Sequence, residues 1–249
     1  MVEASVVKLS VIIPALNEEE SLPLVLGELP WSTLYQVIVV DNGSQDRTAE
    51  VAAAHGALVV REPQRGYGSA CMAGMQAAAE TDIVIFLDAD GSFDANEIAS
   101  LVGPIERGEA ELVLGSRLAG RREAGAMPLH GVLGNWLVAA VISRLAGIPL
   151  TDLGPFRAIK RDTLERLRME ERTYGWPSEM IVKAVQHGVP IREVPVCYRR
   201  RQGGQSKVSG TWRGTVAASY RILRVTYKYA RSRGHSWTGP DSAAPRRGA

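Results

Sequence analysis

The sequence predicts an α/β domain built on a mostly parallel sheet with helices on both faces. Short apolar runs alternate with polar helical stretches through the first half of the chain, and an acidic or glycine-rich turn follows most of the runs. The 249 residues, of which 45% are hydrophobic and 22% charged, suffice for one large domain of this kind. This composition argues against a disordered, fibrous or disulfide-stapled chain.

Strands are expected where short apolar, β-rich runs are bounded by turn residues. The expected strands are Leu9–Ile13, Val37–Val40, Ala57–Val60, Ile83–Leu87, Leu112–Leu114 and Ile191–Tyr198. The expected helices are one opened by Asn17 as its N-cap, then Thr48–His55, 69–80, Asp94–Arg107, Gly131–Gly147, Thr163–Arg168, Ser178–His187 and Thr211–Arg233. Ligands of such sheets bind at the carboxyl ends of the strands, so we expect Asp41, Asp88 and Asp90 on one rim.

The small net charge of +2 conceals an uneven distribution. Residues 192–249 contain 13 Lys or Arg and 2 Asp or Glu, whereas residues 1–191 contain 16 and 25. A basic C-terminal part can face phosphates, lipid head groups or nucleic acid, or it can be a solvated surface. Because no zinc-finger spacing or RNA-binding aromatic motif accompanies it, no nucleic acid is expected as a partner.

The C-terminal region also bears on membrane contact. The chain shows no signal peptide and no uncharged run of the roughly 20 residues that span a bilayer, so no membrane-spanning helix is expected. Within 211–233, an aromatic and apolar stripe runs beside a basic stripe, which suits either a membrane interface or packing on the domain. Residues 234–249, with few apolar groups, are predicted to be a disordered tail.

The strongest chemical signal is the pair of acids in Asp88-Ala-Asp90, directly after an apolar strand. Carboxylates at positions i and i+2 of a strand point to one side and repel each other unless a hard cation such as Mg²⁺ or Mn²⁺ neutralises them. The pattern also resembles the first motif of haloacid-dehalogenase-type phosphatases, in which the first Asp is a nucleophile. Here a long stretch of α/β pattern precedes the motif, and no later pair of acids completes that family's metal site.

Five further segments accompany this pair in a fixed order. They are Val11-Ile-Ile-Pro-Ala-Leu-Asn-Glu-Glu, Val39-Val-Asp-Asn-Gly-Ser-Gln-Asp, Arg65-Gly-Tyr-Gly-Ser-Ala, Gly115-Ser-Arg and Arg201-x-x-Gly-x-Ser-Lys. Together the six segments resemble a family 2 glycosyltransferase of the GT-A fold, most of all the dolichyl- or polyprenyl-phosphate sugar synthases. The resemblance implies a single domain over 8–233. Its parts would be a nucleotide-binding half (1–118), an acceptor and closing-loop half (119–210) and a basic amphipathic helix (211–233).

The resemblance implies a nucleotide-sugar site with a metal ion. Asp88 and Asp90 would hold Mg²⁺ or Mn²⁺ on the donor diphosphate, Asp41 would read the base, and the segment from Arg201 would close over the donor. Ser92 stands where many relatives have a Gln. The residues implied for donor binding are Pro14, Ala15, Asn17, Glu18, Asp41, Gly43, Arg65, Gly68, Asp88, Ala89, Arg201, Ser206 and Lys207.

The resemblance further implies catalytic residues, of which Asp90 is one. Arg117 resembles an arginine near the acceptor phosphate, or it is a surface residue at a strand end. Asp152 either orients the donor sugar or is structural. Glu179 is either a base or sugar ligand, or a structural ion-pair partner. Where relatives have Ser-Gly before Phe-Arg, this chain has Gly-Pro, which loosens the link to the mannose branch.

These features lead to one functional prediction with stated alternatives. We predict a metal-dependent inverting glycosyltransferase that moves a sugar from a UDP- or GDP-linked donor to a polyprenyl phosphate. A phosphate monoester, with its second pKa of about 6, would attack without a protein base. The alternatives are a hydroxyl acceptor, the phosphatase, and an inactive nucleotide-sugar-binding module. The expected location is the cytoplasm, with contact to the inner face of the cell membrane.

Overall fold

A computed structural model describes residues 7–78, 80–203, 220 and 222–229. Within this part of the chain, seven strands form one sheet in the order β3-β2-β1-β4-β6-β5-β7. The strands are β1 (Leu9–Ala15), β2 (Gln36–Asp41), β3 (Leu58–Arg61), β4 (Ile83–Phe86), β5 (Leu112–Ser116), β6 (Arg157–Lys160) and β7 (Ile191–Pro195). All of them run parallel except β6, which pairs antiparallel with both β4 and β5. The expected mostly parallel α/β sheet is confirmed.

Helices cover both faces of the sheet. They are α1 (Leu22–Glu28), α2 (Thr48–Ala54), α3 (Tyr67–Ala77), α4 (Ile98–Glu106), α5 (Leu129–Ala146), α6 (Arg161–Arg166) and α7 (Trp176–Gln186). Alternate residues of each strand point to opposite faces, so the sheet has two cores. Ile13 of β1 packs in the core that holds α1 and α4, whereas its neighbour Ile12 packs in the core that holds α3, α5 and α7.

Strand β6 was missed by the sequence analysis. Its four residues, Arg-Ala-Ile-Lys, begin and end with a charge, and they lack the apolar run by which the other strands were found. The structure nevertheless buries Arg157 almost completely, at 1% exposure, between the two neighbouring strands. The last strand is shorter than expected, because β7 ends at Pro195 rather than at Tyr198.

The first helix begins later than the sequence suggested. Asn17 is not its N-cap: α1 starts at Leu22, and Ser21 precedes it. Asn17 has a positive φ of 53°, and its side-chain oxygen accepts the backbone N–H of Gln45 at 2.8 Å. The side chain is therefore engaged in joining two loops. The expected helix Asp94–Arg107 is a short 3-10 turn, Ala95–Glu97, followed by α4.

The predicted C-terminal helix is described only in part. Residues 222–229 are helical, and Val225 and Tyr229 are buried there. The rest of the predicted helix (211–219, 221 and 230–233) and all of the predicted tail, 234–249, lie outside the described residues. No helix in the described part of the chain is long and apolar enough to cross a membrane.

Candidate active site

The acidic pair lies in the turn that follows β4, at the carboxyl end of the parallel strands. Asp90 is held by Ser92, whose backbone N–H and hydroxyl both donate to Asp90 Oδ1, at 2.9 and 2.5 Å. Ser92 therefore orients this carboxylate through hydrogen bonds. Gly91 makes the turn possible because its φ of 71° lies in the left-handed region that L side chains rarely adopt.

The two carboxylates disturb each other electrostatically. Burial and the charge of Asp90 together raise the pKa of Asp88 to about 7, although the guanidinium groups of Arg117 and Arg201 act in the opposite direction. Two neighbouring carboxylates that are shielded from water repel each other, and a nearby positive charge would stabilise them. Their hard oxygen donors suit Mg²⁺ or Mn²⁺.

A segment of the C-terminal part of the chain already supplies positive charge at this site. Arg201 places Nη2 3.1 Å from Asp90 Oδ2 and Nη1 3.1 Å from Glu18 Oε1. The next residue, Gln202, donates its backbone N–H to the Asp90 carbonyl at 3.0 Å. Arg199 fastens the same segment through ion pairs of 2.6 Å with Glu28 and with Asp94. Arg201 thus links the acidic turn to the first loop, as a bridge across the site.

The loops after β1 and β2 form the neighbouring wall. Asp41 ends β2, and its Oδ1 accepts the N–H of Ser44 at 2.8 Å, a bond that closes the turn after the strand; α2 begins only at Thr48, so Asp41 does not cap it. Asn42, which the sequence analysis did not select, braces the next loop: its Nδ2 donates to two carbonyls there, and its Oδ1 accepts the N–H of Gly66 at 2.7 Å. Arg65 donates to the Gly43 carbonyl at 2.9 Å.

The glycines that open α3 have a packing role. A Cβ atom on Gly66 would lie 2.2 Å from the Arg172 carbonyl, and one on Gly68 would lie 2.0 Å from the Glu171 carbonyl. Both distances are far too short for any side chain, so only glycine lets α3 approach the 171–172 loop. Gly68 is accordingly a close-packing residue rather than part of the cavity lining.

Arg117 and Asp152 form a buried bidentate ion pair. Arg117 Nε and Nη2 lie 2.8 and 2.7 Å from the two Asp152 oxygens, and the Arg117 backbone N–H donates to the same carboxylate at 2.7 Å. Burial by itself would disfavour the charged form of both side chains. The charge and the hydrogen bonds of the partner together have a larger, opposite effect. The pKa of Arg117 is therefore raised and that of Asp152 lowered. The guanidinium also lies over the Tyr198 ring, 5.2 Å from its centre.

Glu179 stands apart from the group that the structure brings together. Its fully buried carboxylate accepts the backbone N–H groups of Glu170 and Glu171 at 2.9 and 2.8 Å, and it pairs with Lys183 at 2.8 Å. It thereby holds the loop against which α3 packs, and its side chain does not line the cavity. These contacts support the structural alternative, in which Glu179 is an ion-pair partner.

One cavity of about 820 Å³ collects most of the predicted residues. The predicted residues that line it are Pro14, Ala15, Asn17, Glu18, Arg65, Asp88, Ala89, Asp90, Arg117 and Arg201. Five predicted residues are not part of the lining: Asp41, Gly43, Gly68, Asp152 and Glu179. Ser206 and Lys207 lie outside the described residues.

The cavity has a second, apolar side that the sequence analysis did not place. The residues on that side include Met127, Pro128, Val138, Leu153, Pro155 and Ile222. Asn135 and Tyr198, also missed, add polar atoms: Asn135 Oδ1 accepts from Arg117 Nη2 at 3.3 Å. The one sequence signal for Asn135 is its polarity within the otherwise apolar middle of α5.

The donor set at the acidic turn fits a divalent cation. Two carboxylates are available, and a cation there would meet the charge demand that Arg201 meets in part. Among the described residues, no cluster of three or more His, Cys, Asp or Glu could complete a metal site. Oxygen ligands from outside the protein, such as a diphosphate and water, would have to fill the remaining positions.

Comparison with known proteins identifies the family. The model for Glycosyl transferase family 2 matches residues 10–168. An uncharacterized glycosyltransferase of Mycobacterium tuberculosis is 44% identical over 217 residues, which are 87% of this chain and 96% of the relative. The undecaprenyl-phosphate mannosyltransferase of Micrococcus luteus is 33% identical over 215 residues, with 80% of this chain and 86% of the relative covered.

Solved structures agree on the fold. Glucosyl-3-phosphoglycerate synthase from Mycobacterium tuberculosis, crystallised with Mn²⁺, uridine diphosphate and phosphoglyceric acid, superposes with a TM-score of 0.73. It is 24% identical, and the match covers 92% of this chain and 80% of that one. Another structure of the same enzyme contains Mg²⁺ and uridine diphosphate. The family match over residues 10–168 excludes the phosphatase alternative. By its sequence and its sheet, the chain belongs to glycosyl transferase family 2 and is a glycosyltransferase with the GT-A fold.

Proposed function

We propose that this enzyme transfers a sugar from a UDP- or GDP-linked donor to a polyprenyl phosphate, with a divalent cation and with inversion at the anomeric carbon. One observation carries the proposal: the acidic turn and a set of apolar side chains line the same cavity. A nucleotide diphosphate fits the acidic side through a cation, and an isoprenoid fits the apolar side. The similarity to an undecaprenyl-phosphate mannosyltransferase supports the same acceptor class.

Asp88 and Asp90 would hold the cation on the donor diphosphate. When bound, that cation would act as a Lewis acid for the leaving nucleoside diphosphate. Arg201 would leave Asp90 and turn its guanidinium to the diphosphate, where charge develops as the sugar bond breaks. Ser206 and Lys207 are proposed to follow it as the segment closes over the donor. Asp41, Asn17 and Arg65 are proposed for the nucleoside end.

The acceptor side supplies positive charge rather than a base. In the described lining, the carboxylates are Glu18, Asp88 and Asp90, and all three belong to the donor side. A phosphate monoester is mostly dianionic at pH 7 and needs no deprotonation before attack. Arg117 lines the cavity and would position that phosphate, while Asp152 fixes the guanidinium in place. Asp152 is thus a positioning residue.

Calorimetric titration with UDP, GDP and their hexose conjugates, with and without Mn²⁺, tests the donor site. We expect one nucleotide series to bind only with the cation and to lose binding in Asp90→Ala. The matched control is Asp162→Ala, an exposed acid in the first turn of α6. Nucleotide binding that is equal in both variants and independent of metal would overturn the donor assignment.

A transfer assay then tests the acceptor. Radiolabelled donor is supplied with a polyprenyl phosphate or with the corresponding polyprenol, which has the same tail and a hydroxyl in place of the phosphate. We expect only the polyprenyl phosphate to become labelled. The hydroxyl of polyprenol would need a base, and the described lining has no carboxylate on the acceptor side. Transfer to the polyprenol at a similar rate would favour a hydroxyl acceptor instead.

A further inference from the structure

Glu193 of β7 is a half-buried carboxylate that faces the turn carrying Asp152. Its two oxygens accept the backbone N–H of Thr151 at 3.0 and 2.9 Å, and Oε1 also accepts the backbone N–H of Asp152 at 3.1 Å. The Thr151 hydroxyl donates to Oε2 at 3.1 Å. Hydrogen bonds to an ionised carboxylate are stronger than those between neutral groups. Glu193 therefore anchors this turn, although its side chain does not line the cavity.

A chain of hydroxyl groups joins Glu193 to the segment that carries Arg117. Thr151 has one hydroxyl proton, and it gives this proton to Glu193. The contact of 2.6 Å between the Ser116 and Thr151 hydroxyls must then be donated by Ser116. Ser116 in turn accepts the backbone N–H of Ala119 at 3.0 Å. The donors thus run in one direction, from Ala119 to the Glu193 carboxylate, and Arg117 lies in the short segment that this chain holds.

Both partners of the buried ion pair therefore depend on Glu193. The Asp152 backbone is bonded to its carboxylate directly, and the backbone around Arg117 is bonded to it through the two hydroxyl groups. Arg117 and Asp152 meet through side-chain bonds of 2.8 and 2.7 Å, a bidentate geometry that requires both groups to keep their direction. Within the described part of the chain, all hydrogen bonds to the Glu193 carboxylate come from Thr151 and Asp152. This carboxylate therefore stabilises one turn and, through it, one ion pair.

We propose that Glu193 is a positioning residue for sugar transfer, which holds the Arg117 guanidinium in the direction needed to bind the acceptor phosphate. Glu193 would not touch the substrate, and it would act through Thr151 and Asp152. A displacement of about 1 Å in a substrate-binding group can lower a rate by about 100-fold, so anchoring the backbone of both ion-pair partners matters for catalysis. The proposal rests on the proposed function, because it takes Arg117 to be the group that binds the acceptor phosphate.

NMR of the arginine side chains tests the positioning without any substrate. Arg117 Nε donates to Asp152 at 2.8 Å, and its N–H signal is assigned by its loss in Arg117→Lys. Glu193→Gln keeps the size of the side chain but places an NH₂ group against the backbone N–H donors. We expect exchange of the Arg117 Nε–H with water to become about tenfold faster in this variant.

Glu111→Gln is the matched control. Glu111 lies at the opposite end of β5, where its carboxylate accepts from Thr163 and Arg166 at 2.6 and 2.8 Å. The variant removes a half-buried carboxylate of the same kind, remote from the cavity, so it should leave the exchange of Arg117 within about twofold of the wild-type rate. A general loss of stability would speed exchange in both variants.

Transfer kinetics supply the functional readout. In Glu193→Gln, kcat/KM for polyprenyl phosphate should fall about tenfold through a rise in the acceptor KM, while nucleotide affinity in the presence of Mn²⁺ stays within about twofold. Thr151→Val removes only the hydroxyl and keeps both backbone N–H groups. It should show the same changes at smaller size, and it serves as the test if Glu193→Gln does not fold.

The outcomes separate this proposal from the proposed function. Unchanged exchange of Arg117 in both Glu193→Gln and Thr151→Val would overturn the positioning role, and so would an equal change in Glu111→Gln. A fall in nucleotide affinity as large as the fall in kcat/KM would also overturn it, because the whole cavity would then be distorted. If the wild type transfers no sugar to polyprenyl phosphate, the proposed function fails, and with it the catalytic part of this proposal. The exchange rates still decide whether Glu193 fixes Arg117.

Discussion

Replacing Arg201 by alanine should change metal affinity in opposite directions with and without nucleotide. In the structure, the guanidinium lies 3.1 Å from Asp90 Oδ2, an oxygen that a cation at the acidic turn would need. Cation and guanidinium therefore compete. When a diphosphate is bound, Arg201 is proposed to move to it. Arg201 and the cation then both stabilise nucleotide binding, because they neutralise the same phosphates.

The contact geometry gives the size of the first effect. Arg201 is 26% exposed and Asp90 12%, so the pair is neither fully screened nor fully dry. For such a pair we take a net strength of about 1 kcal/mol, between a surface ion pair and a charge-assisted hydrogen bond in a protein interior. Removing the competitor should raise Mn²⁺ affinity without nucleotide by about fivefold. Losing one charged contact to the diphosphate should lower UDP or GDP affinity, with Mn²⁺ present, by about tenfold.

Electron paramagnetic resonance of free Mn²⁺ measures the first quantity, and calorimetry measures the second. Arg199→Ala is the matched control: this arginine lies in the same segment, but its ion pairs go to Glu28 and Asp94. It should leave Mn²⁺ affinity without nucleotide within about twofold of the wild-type value. If Arg201→Ala leaves Mn²⁺ affinity unchanged or lowers it, the guanidinium does not compete with the cation and the reasoning fails.

Three further outcomes are expected. Because the metal-free pKa of Asp88 is about 7 and a cation needs the carboxylate, Mn²⁺ affinity without nucleotide should fall about tenfold from pH 8 to pH 6, and a flat titration would contradict this. Glu179→Gln should lower the free energy of unfolding in urea by about 2–4 kcal/mol while kcat stays within about twofold, whereas a catalytic base would lose at least about 100-fold. Gly68→Ala should lower the melting temperature strongly because its Cβ would meet the Glu171 carbonyl, whereas Gly27→Ala, in open space within α1, should raise the melting temperature slightly.

The strands and the acidic rim were predictable because each depends on local sequence. Apolar runs end at Asp41 and Asp88, and a parallel sheet brings such ends to one edge whatever the loops do. Strand β6 was not predictable in this way. Its short, charge-flanked sequence becomes a strand only because the gap between β4 and β5 supplies hydrogen-bonding partners on both sides.

Within the site, the orientation and pairing of the side chains depend on residues that are distant in the chain, so local sequence could not predict them. The motif around Glu179 predicts an acid at the start of a helix, and two backbone N–H groups from the preceding loop determine which way that acid faces. Arg117 and Asp152, selected separately, turn out to be partners separated by 35 residues in the chain. The apolar residues of the cavity lining come from three separate stretches of the chain, and no single stretch is distinctive in sequence.

The antiparallel strand β6 also governs the order in which the sheet can be completed as the chain is made. When β1 to β4 have left the ribosome, the outer edge of β4 has no partner, since β6 follows much later and β5 joins the sheet only through β6 and β7. An unpaired edge of a buried, wholly apolar strand is prone to pair with other chains. A fragment limited to the predicted nucleotide-binding half, 1–118, would therefore carry an open, aggregation-prone edge beside its own acidic turn.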